Sequence, residues 1–339
     1  MKTKIKKIFK WGLYYPILTF VCFELALLIL GYRRYQTVDY QVDMQPAYAY
    51  LADDSLGIAL KPGNYSIVLN NAVHFDAIHT TENRRFTPGA TPDSNKAKVT
   101  FLGCSFTYGY GVNDNETFAA NIQENHPEWQ LENQGVIGYG TVQSLLQLEK
   151  IILEGETDAV LLNFSSFHFM RNSLSQTYRK NLKLGYAHSS ESVDTVMADA
   201  KFPYINSCDC EPQFANWSNM HENWYGREYL ASINWFQTMS EQYKDAKLDE
   251  VALTTCLFEK MQKMCKQANI KFGLVCLDQT AETKTLHANL PSLPWLDVKF
   301  DFEDDTQTFA PHDSHPNAIG HLTIATKIDP FLEKLLRDE

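Results

Sequence analysis

The chain has 339 residues, 44% of them hydrophobic, and a formal net charge of −11 at pH 7. This length allows a substantial core, in one large domain with insertions or in two smaller ones. The acidic balance argues against a nucleic-acid partner, because phosphate binding needs clustered lysine and arginine.

The charge is unevenly distributed along the chain. Residues 1–34 carry a net charge of +6, so the remainder carries −17. Lysines precede an apolar run from Trp11 to Tyr32, which at about 1.5 Å per residue is long enough to cross hydrocarbon about 30 Å thick. The following sequence, LILGYRRYQ, lacks the Ala-x-Ala pattern of a cleavable signal peptide. We therefore predict that residues 1–34 are a cytoplasmic basic tip and an uncleaved transmembrane anchor.

The lysine excess also predicts the orientation of this anchor. The amino end should stay in the cytoplasm, which makes the chain a single-pass inner-membrane protein with a periplasmic body. Arg33 and Arg34, beyond the apolar run, oppose this orientation. Glu24 interrupts the run and would be costly against lipid. Three interpretations of Glu24 are open: it pairs within a helix bundle, it marks the site of a membrane protein partner, or it is a tolerated defect in the apolar run. The last of these is the default interpretation.

The seven cysteines show no paired C-x-x-C spacing, so we predict no metal site. Outside the cytoplasm, Cys208 and Cys210 are disulfide candidates. Free, buried thiols remain the default for an odd number of cysteines without a regular framework.

Residues 35–97 are predicted to be a β-rich preface and linker. Short apolar stretches are broken there by turn pairs such as Pro62 and Gly63. The polar run TPGATPDSNKAK, from Thr87 to Lys98, is the clearest linker. No chemistry is assigned to this part of the chain.

From Val99 onward, short β-rich runs alternate with helical stretches, a pattern typical of a parallel sheet covered by helices. VTFLG, WQLENQG, DAVLLNF and KFGLVCL are the strand-like runs. An irregular insertion at about residues 165–248 interrupts the alternation and is rich in aromatic residues, among them Trp217, Trp224, Tyr225, Tyr229, Trp235 and Phe236. We predict an α/β domain over residues 98–339 in which this insertion is a local core or walls a substrate cleft.

Two clusters could carry chemistry. Ser105 follows the strand VTFLG, and ligands of open parallel sheets sit beyond the carboxyl ends of the strands. A serine hydroxyl becomes a useful nucleophile when a histidine takes its proton and a carboxylate orients that histidine. Asp313 and His315 occupy a loop directly before a helix predicted to start near Pro316, and they supply both groups.

These clusters resemble the motif blocks of the SGNH (GDSL-like) hydrolase family. FLGCSFTYGYGVND resembles the first block, NQGVIGYGTVQ the second and DSHPNAIGH the last, in the family's order and over about residues 98–339. The resemblance implies a flavodoxin-like three-layer α/β/α fold and ester hydrolysis or acyl transfer without a cofactor. It also implies that Ser105 is the nucleophile, His315 the base oriented by Asp313, and Gly138 the oxyanion-hole glycine.

Three departures from the family pattern stand out. The usual Gly-Asp-Ser is Gly-Cys-Ser here. In the last block the family's acid stands three positions before the histidine, a position that His312 occupies here, whereas Asp313 stands two positions before His315. The third block lacks its oxyanion-binding asparagine and reads NFSSFHFMRN. His168 and Arg171 follow that strand and could supply N–H donors, as in the membrane-tethered subsets that this sequence resembles.

We therefore expect a membrane-anchored serine esterase or O-acyltransferase that acts on acylated envelope glycan or a related ester. A catalytically lapsed domain that binds glycan or a membrane partner is the alternative, since two blocks are altered. A cytoplasmic thiol enzyme that uses Cys104 fits poorly with the N-terminal segment, and no cationic neighbour that would favour a Cys104 thiolate is evident in the sequence.

Overall fold

The computed structural model describes residues 2–37, 40–155, 157–185 and 193–337. Its strands, in chain order, are β1 (Val42–Gln45), β2 (Tyr50–Asp53), β3 (Gly57–Leu60), β4 (Gly63–Leu69), β5 (Val73–His79), β6 (Ala97–Leu102), β7 (Trp129–Asn133), β8 (Ala159–Phe164), β9 (Lys201–Tyr204), β10 (Gln213–Asn216), β11 (Lys271–Cys276) and β12 (Trp295–Asp297).

The helices are α1 (Lys2–Ile29), α2 (Ser105–Tyr108), α3 (Phe118–Asn125), α4 (Thr141–Glu154), α5 (His168–Asn172), α6 (Gln176–Gly185), α7 (Val193–Val196), α8 (Ala231–Asp245), α9 (Glu250–Gln267), α10 (Ala281–Asn289) and α11 (Ala318–Arg337). Short 3-10 helices lie at Asp114–Glu116 and Trp217–Asn219.

The chain divides into two compact units that differ from the predicted segments. The first unit comprises Met1–Asp39 and His221–Lys247, and the second comprises Tyr40–Met220 and Leu248–Glu339. The preface from Tyr40 onward therefore belongs to the same unit as the predicted α/β domain. The predicted insertion at 165–248 is split, because its helix α8 packs on α1.

The first unit is built on α1, whose segment Trp11–Ile29 has a mean hydropathy of 1.8 and is long and apolar enough to cross a membrane. A signal sequence near an N-terminus meets the same criteria. Glu24 is paired rather than a tolerated defect, since its carboxylate accepts hydrogen bonds from the backbone N–H groups of Ala231 (3.1 Å) and Ser232 (2.9 Å). These are the first two residues of α8, where helical N–H groups otherwise lack partners.

A five-stranded sheet organises the second unit, with the strand order β12-β11-β8-β6-β7. All four pairings are parallel. Among these five strands β6 comes first in the chain and lies between the second, β7, and the third, β8. This is the flavodoxin-like order, whose switch point lies between the first and third strands. The predicted parallel sheet covered by helices is confirmed.

The central strands of this sheet, β6, β8 and β11, are mostly buried on both faces, so their residues alternate between two hydrophobic cores. Val160, Leu162 and Phe164 of β8 belong to a core with α4, α9 and α10. Ala159 and Leu161 of the same strand belong to a core with α3 and α11. Helix layers therefore cover the sheet on each side, which explains why the central strand reads as a continuous apolar run.

The preface is β-rich, as predicted. Strands β1, β4 and β5 form an antiparallel sheet, and β2 pairs with β3 as a hairpin. Along β5, alternate residues are buried, the pattern of a strand with one face on a core.

Arg85 joins this preface to the main sheet. Its backbone N–H donates to the Asn133 carbonyl at the end of β7 (3.1 Å). Its guanidinium is 1% exposed and donates to the carbonyl oxygens of Gly109 (3.1 Å) and Val112 (2.8 Å) and to the Asp114 carboxylate (2.5 Å). A single buried side chain thus holds the loop that follows α2.

The disulfide pairing differs from the candidates in the sequence. Cys208 is bonded to Cys256 of α9, and Cys210 is a buried free thiol. The bonded residues are 48 positions apart, so only the packing of α9 brings them together. Cys104, Cys265 and Cys276 are also free and buried, in keeping with the default expectation for these thiols.

The Arg85 network predicts a large effect on stability. We expect Arg85→Ala to lower the free energy of unfolding by about 3–5 kcal/mol, because it leaves the Asp114 carboxylate buried without its partner. Urea unfolding of the detergent-solubilised full-length protein would measure this. Arg337→Ala is the control: Arg337 pairs with Glu333 on the exposed surface of α11, so its loss should cost about 1 kcal/mol or less. Equal losses for the two variants would contradict the assigned role of Arg85.

Candidate active site

Ser105 lies where β6 ends and the chain turns into α2. The turn depends on Gly103, which has φ +150 and leaves no room for a side chain, since a Cβ there would lie 2.2 Å from Thr107 Oγ1. Cys104 precedes the helix and Ser105 is its first residue. The serine is therefore held at the carboxyl edge of the sheet, beside the switch point between β6 and β8.

His315 lies in the loop before α11, and hydrogen bonds on both sides hold that loop. Phe309 donates its backbone N–H to the His315 carbonyl (3.1 Å), and Asp313 donates its own to the Phe309 carbonyl (3.1 Å). The Asn317 amide donates to the carbonyl of Thr308 (2.9 Å). The two loops that the sequence analysis singled out thus each have a defined conformation.

The structure brings Ser105, His315 and Asp313 into one hydrogen-bonded chain. Nε2 of His315 lies 2.8 Å from Oγ of Ser105, and Nδ1 lies 2.5 Å from Oδ1 of Asp313. The same carboxylate oxygen accepts the backbone N–H of His315 at 2.7 Å. The short Asp-x-His spacing is therefore accommodated, because Asp313 binds both the backbone and the ring of the histidine.

Two aromatic rings restrict the His315 imidazole. The ring of Phe106 lies edge-on with its centroid 5.0 Å from that of His315, and Tyr110 lies likewise at 5.1 Å. Both belong to the first block, directly after Ser105. The imidazole can thus turn little without losing these contacts, which maintains its alignment between the serine and the carboxylate.

Tyr40 is a residue that the sequence analysis missed. Its hydroxyl donates to Oδ2 of Asp313 at 2.5 Å, across 273 positions of the chain. Burial by itself raises the pKa of the Asp313 carboxyl, but the hydrogen bond and charge of His315, together with the Tyr40 hydroxyl, outweigh burial and lower that pKa below its usual value. No local motif marks Tyr40, so only the fold could reveal it.

The loop of the second block packs directly against the turn that carries Ser105. Val136 donates its N–H to the Gly103 carbonyl (3.2 Å), and a Cβ on Gly135 would lie 2.4 Å from the Tyr108 backbone nitrogen. Gly138 has φ +79 and lines the same cavity as Ser105 and His315. Its carbonyl accepts the Tyr178 hydroxyl at 2.5 Å.

Arg171 and His168, the expected N–H donors, occupy different environments. Arg171 lines the cavity, where its guanidinium donates to the Tyr139 carbonyl (2.8 Å) and lies 4.3 Å from the centre of the Phe167 ring. His168 is fully buried among aromatic rings and does not line the cavity. Burial, with the charge of Arg171, lowers the pKa of His168 well below its usual value, so the ring is neutral. The structure thus brings Arg171, but not His168, to the surface of the cavity.

The cavity beside Ser105 has a volume of about 350 Å³, and much of its wall is apolar. The preface supplies a large part of that wall, to which the sequence analysis assigned no chemistry. Helices α6 and α7 supply the facing part. The lining residues of these segments include Val42, Met44, Tyr48, Tyr50, Leu182, Val196 and Met197.

Comparison with known proteins gives limited information. No protein-family model matches the sequence, and no curated protein matches it. Among solved structures, the psychrotrophic esterase EstA from Pseudoalteromonas sp. is 12% identical, with a TM-score of 0.38, over 72% of this chain and 100% of that one. A member of the lipolytic G-D-S-L family from Veillonella parvula is 13% identical, with a TM-score of 0.40, over 71% of this chain and 100% of that one.

A two-domain esterase active on acetylated mannans is 15% identical, with a TM-score of 0.39, over 72% of this chain. The match spans 50% of that esterase. At these identities and TM-scores the similarities support no conclusion about the function of this chain.

The bond from Tyr40 to Asp313 predicts a stability difference that depends on pH. Tyr40→Phe should cost about 1.5–3 kcal/mol at pH 7, because the charged carboxylate loses a donor. The folded-state pKa of Asp313 is lowered, so the stabilisation is present above the unfolded pKa and is lost as the pH falls through the folded one. The cost should therefore shrink on acidification, as measured by urea unfolding at a series of pH values. Tyr178→Phe is the control, since its acceptor is a carbonyl and its cost should not change; a constant cost for both variants would refute the bond to Asp313.

Proposed function

We propose that this chain is a membrane-anchored serine ester hydrolase or O-acyltransferase of the SGNH type. The observation that carries the proposal is the hydrogen-bonded chain from Ser105 Oγ through the His315 ring to the Asp313 carboxylate. These are the nucleophile, base and orienting acid of serine acyl-transfer enzymes.

In the proposed reaction, His315 Nε2 accepts the Ser105 proton while Oγ attacks the ester carbonyl. Asp313 holds Nδ1–H and stabilises the imidazolium that forms. The resemblance assigns the oxyanion to the backbone N–H groups of Ser105 and Gly138. His315 then gives its proton to the leaving alcohol. Water or a sugar hydroxyl, deprotonated by His315, next attacks the acyl carbon, and His315 returns that proton to the Ser105 oxygen as the acyl–serine bond breaks.

Loss of the third-block asparagine removes one oxyanion donor, which typically costs on the order of 3 kcal/mol in the barrier. Arg171 is the remaining candidate on that side, because it lines the cavity. Its guanidinium has several donors, of which one is engaged with Tyr139. Arg171 is therefore proposed as a substrate-binding residue, and His168, which is remote from the cavity surface, is not.

The proposed substrate is an acylated glycan of the cell envelope or a related ester. A cavity with an apolar wall and a few polar groups beside Ser105 would accommodate the acyl group of such an ester. The proposed location is the periplasmic side of the inner membrane, with α1 as the anchor, because the basic residues cluster at the amino end.

A catalytically lapsed binding module is the alternative. It would account for the altered first and third blocks, but it leaves the alignment of Ser105, His315 and Asp313 without a purpose. Turnover of an ester separates the two hypotheses.

The first test is ester hydrolysis by the full-length protein in detergent, with short p-nitrophenyl esters and a fluorophosphonate label. We expect Ser105→Ala to abolish labelling and to lower kcat by about four orders of magnitude or more, because serine and histidine act as a unit. Cys104→Ala is the matched control on the neighbouring residue and should keep both activities. A wild-type protein that neither turns over esters nor takes the label, with its fold intact, would favour the binding module.

The second test concerns topology. Alkaline phosphatase fused to the carboxyl terminus should be active, since this reporter folds only in the periplasm, and a green fluorescent protein fusion at the same point should be dark. The opposite pair of results would place the body in the cytoplasm and contradict the proposed location.

A further inference from the structure

The segment His221–Lys247 of the first unit buries a group of polar side chains and exposes most of its large apolar ones. Arg227, Gln237 and Glu241 are 1%, 3% and 7% exposed. By contrast, the large apolar side chains face outward, and we call this set the apolar stripe: Trp224, Tyr225, Tyr229, Phe236, Met239 and Tyr243. Water-soluble folds show the reverse preference, and an exposed apolar patch indicates an interaction surface.

The buried polar groups satisfy one another without water. Arg227 donates to Glu241 (3.2 Å) and to Asn234 (2.8 Å). Gln237 donates to the same Glu241 carboxylate at 2.8 Å. Complete internal pairing is the condition that a lipid environment imposes on polar groups.

Three members of the apolar stripe share one face of α8. Phe236, Met239 and Tyr243 follow the spacing i, i+3, i+7, which lines one side of a helix. Trp235 and Phe236 both contact α1, with their ring centroids 6.2 Å and 6.1 Å from that of Phe23, and Trp235 also lies 6.4 Å from the ring of Tyr32, just beyond α1. The helix thus packs on α1 near its amino end, while Phe236 stays half exposed and Met239 and Tyr243 are exposed.

Glu24 determines the position along α1 at which α8 begins. The carboxylate binds the first two N–H groups of α8, and Glu24 lies five residues before Ile29, the end of the candidate span. At about 1.5 Å per residue, this places the start of α8 about 7 Å inside the end of the apolar segment. An unpaired helix N-terminus at that depth would be costly, and Glu24 removes the cost.

Side chains typical of a membrane surface lie beside the stripe. Arg33, just beyond the span, donates to the Leu28 carbonyl at 2.7 Å. The Lys247 ammonium lies 4.3 Å from the centre of the Tyr243 ring. Tryptophan and tyrosine with flanking cations are enriched where hydrocarbon meets headgroups.

We propose that His221–Lys247 is an interfacial membrane segment whose apolar stripe lies against phospholipid. This inference rests on the proposed anchoring of α1 in the membrane. Glu24 then acts as the internal cap that joins the interfacial helix to the spanning helix, and the acidic residue within the apolar run has a structural purpose.

Site-specific fluorescence in vesicles of phosphatidylethanolamine and phosphatidylglycerol tests the proposal. Cys22, exposed on α1, carries an environment-sensitive label in the native chain and reports the anchor. In a Cys22→Ala background, single cysteines at Phe236, Met239 and Tyr243 report the stripe. Matched controls on the same helix are Gln242 and Lys244, which are exposed and polar.

We expect labels on the stripe to shift their emission to the blue and to be quenched by nitroxide lipids more strongly than by aqueous iodide. Labels at Gln242 and Lys244 should show the reverse. The vesicles contain this chain alone, so quenching by lipid cannot be attributed to another membrane protein.

The outcomes separate this inference from the anchoring on which it rests. If the label on Cys22 is not quenched by lipid, the anchoring fails and the inference fails with it. If Cys22 is quenched but the stripe labels are open to iodide, or shielded from both quenchers by self-association, only the inference is overturned.

Glu24→Ala supplies a second measurement. Loss of the cap should reduce lipid quenching of the label at Phe236 and leave that of Cys22 unchanged. Glu24→Gln, which keeps an acceptor oxygen, should retain most of the quenching at Phe236. Equal quenching at Phe236 in the wild type and both variants would overturn the role assigned to Glu24.

Discussion

The carboxylate of Asp313 binds two distant parts of the chain directly and a third, the turn with Ser105, through His315. One oxygen accepts from the ring and the backbone of His315, and the other accepts from Tyr40. The loop before α11, the turn after β6 and the start of the preface are thereby held in one arrangement. A buried carboxylate is costly unless donors surround it, so the alignment of Ser105 and His315 depends on this small network.

The preface has a larger role in the second unit than its short strands indicate. Arg85 fixes the loop that follows α2, Tyr40 reaches Asp313, and β1 forms part of the cavity wall. A doubly wound sheet offers a ligand site at its switch point, but it leaves the surrounding cleft open. Here the antiparallel sheet of the preface closes part of that cleft. The size and polarity of the cavity therefore depend on the preface and not on the parallel sheet alone.

The two units differ in which side chains they bury. In the second unit, backbone groups pair in the sheet and helices, and apolar side chains fill the two cores. In the first unit, an ion pair and amide groups fill the interior of the segment after His221, and aromatic rings lie outside. The first unit thus buries an ion pair and exposes large apolar side chains, whereas the second unit buries its apolar side chains in two cores.

Local patterns in the sequence determined a good part of the fold and of the candidate site. Alternating apolar runs predicted the parallel sheet, because central strands are buried on both faces, and the turn after β6 and the loop before α11 pointed to Ser105, Asp313 and His315. Each of these signals spans only a few residues. The bond from Tyr40 to Asp313 spans 273 positions, and the disulfide from Cys208 to Cys256 spans 48. The cap that Glu24 forms on α8 spans more than 200 positions. Such contacts carry no local signature, because they arise only when packed helices and sheets bring remote backbone segments together, and the tertiary structure alone decided them.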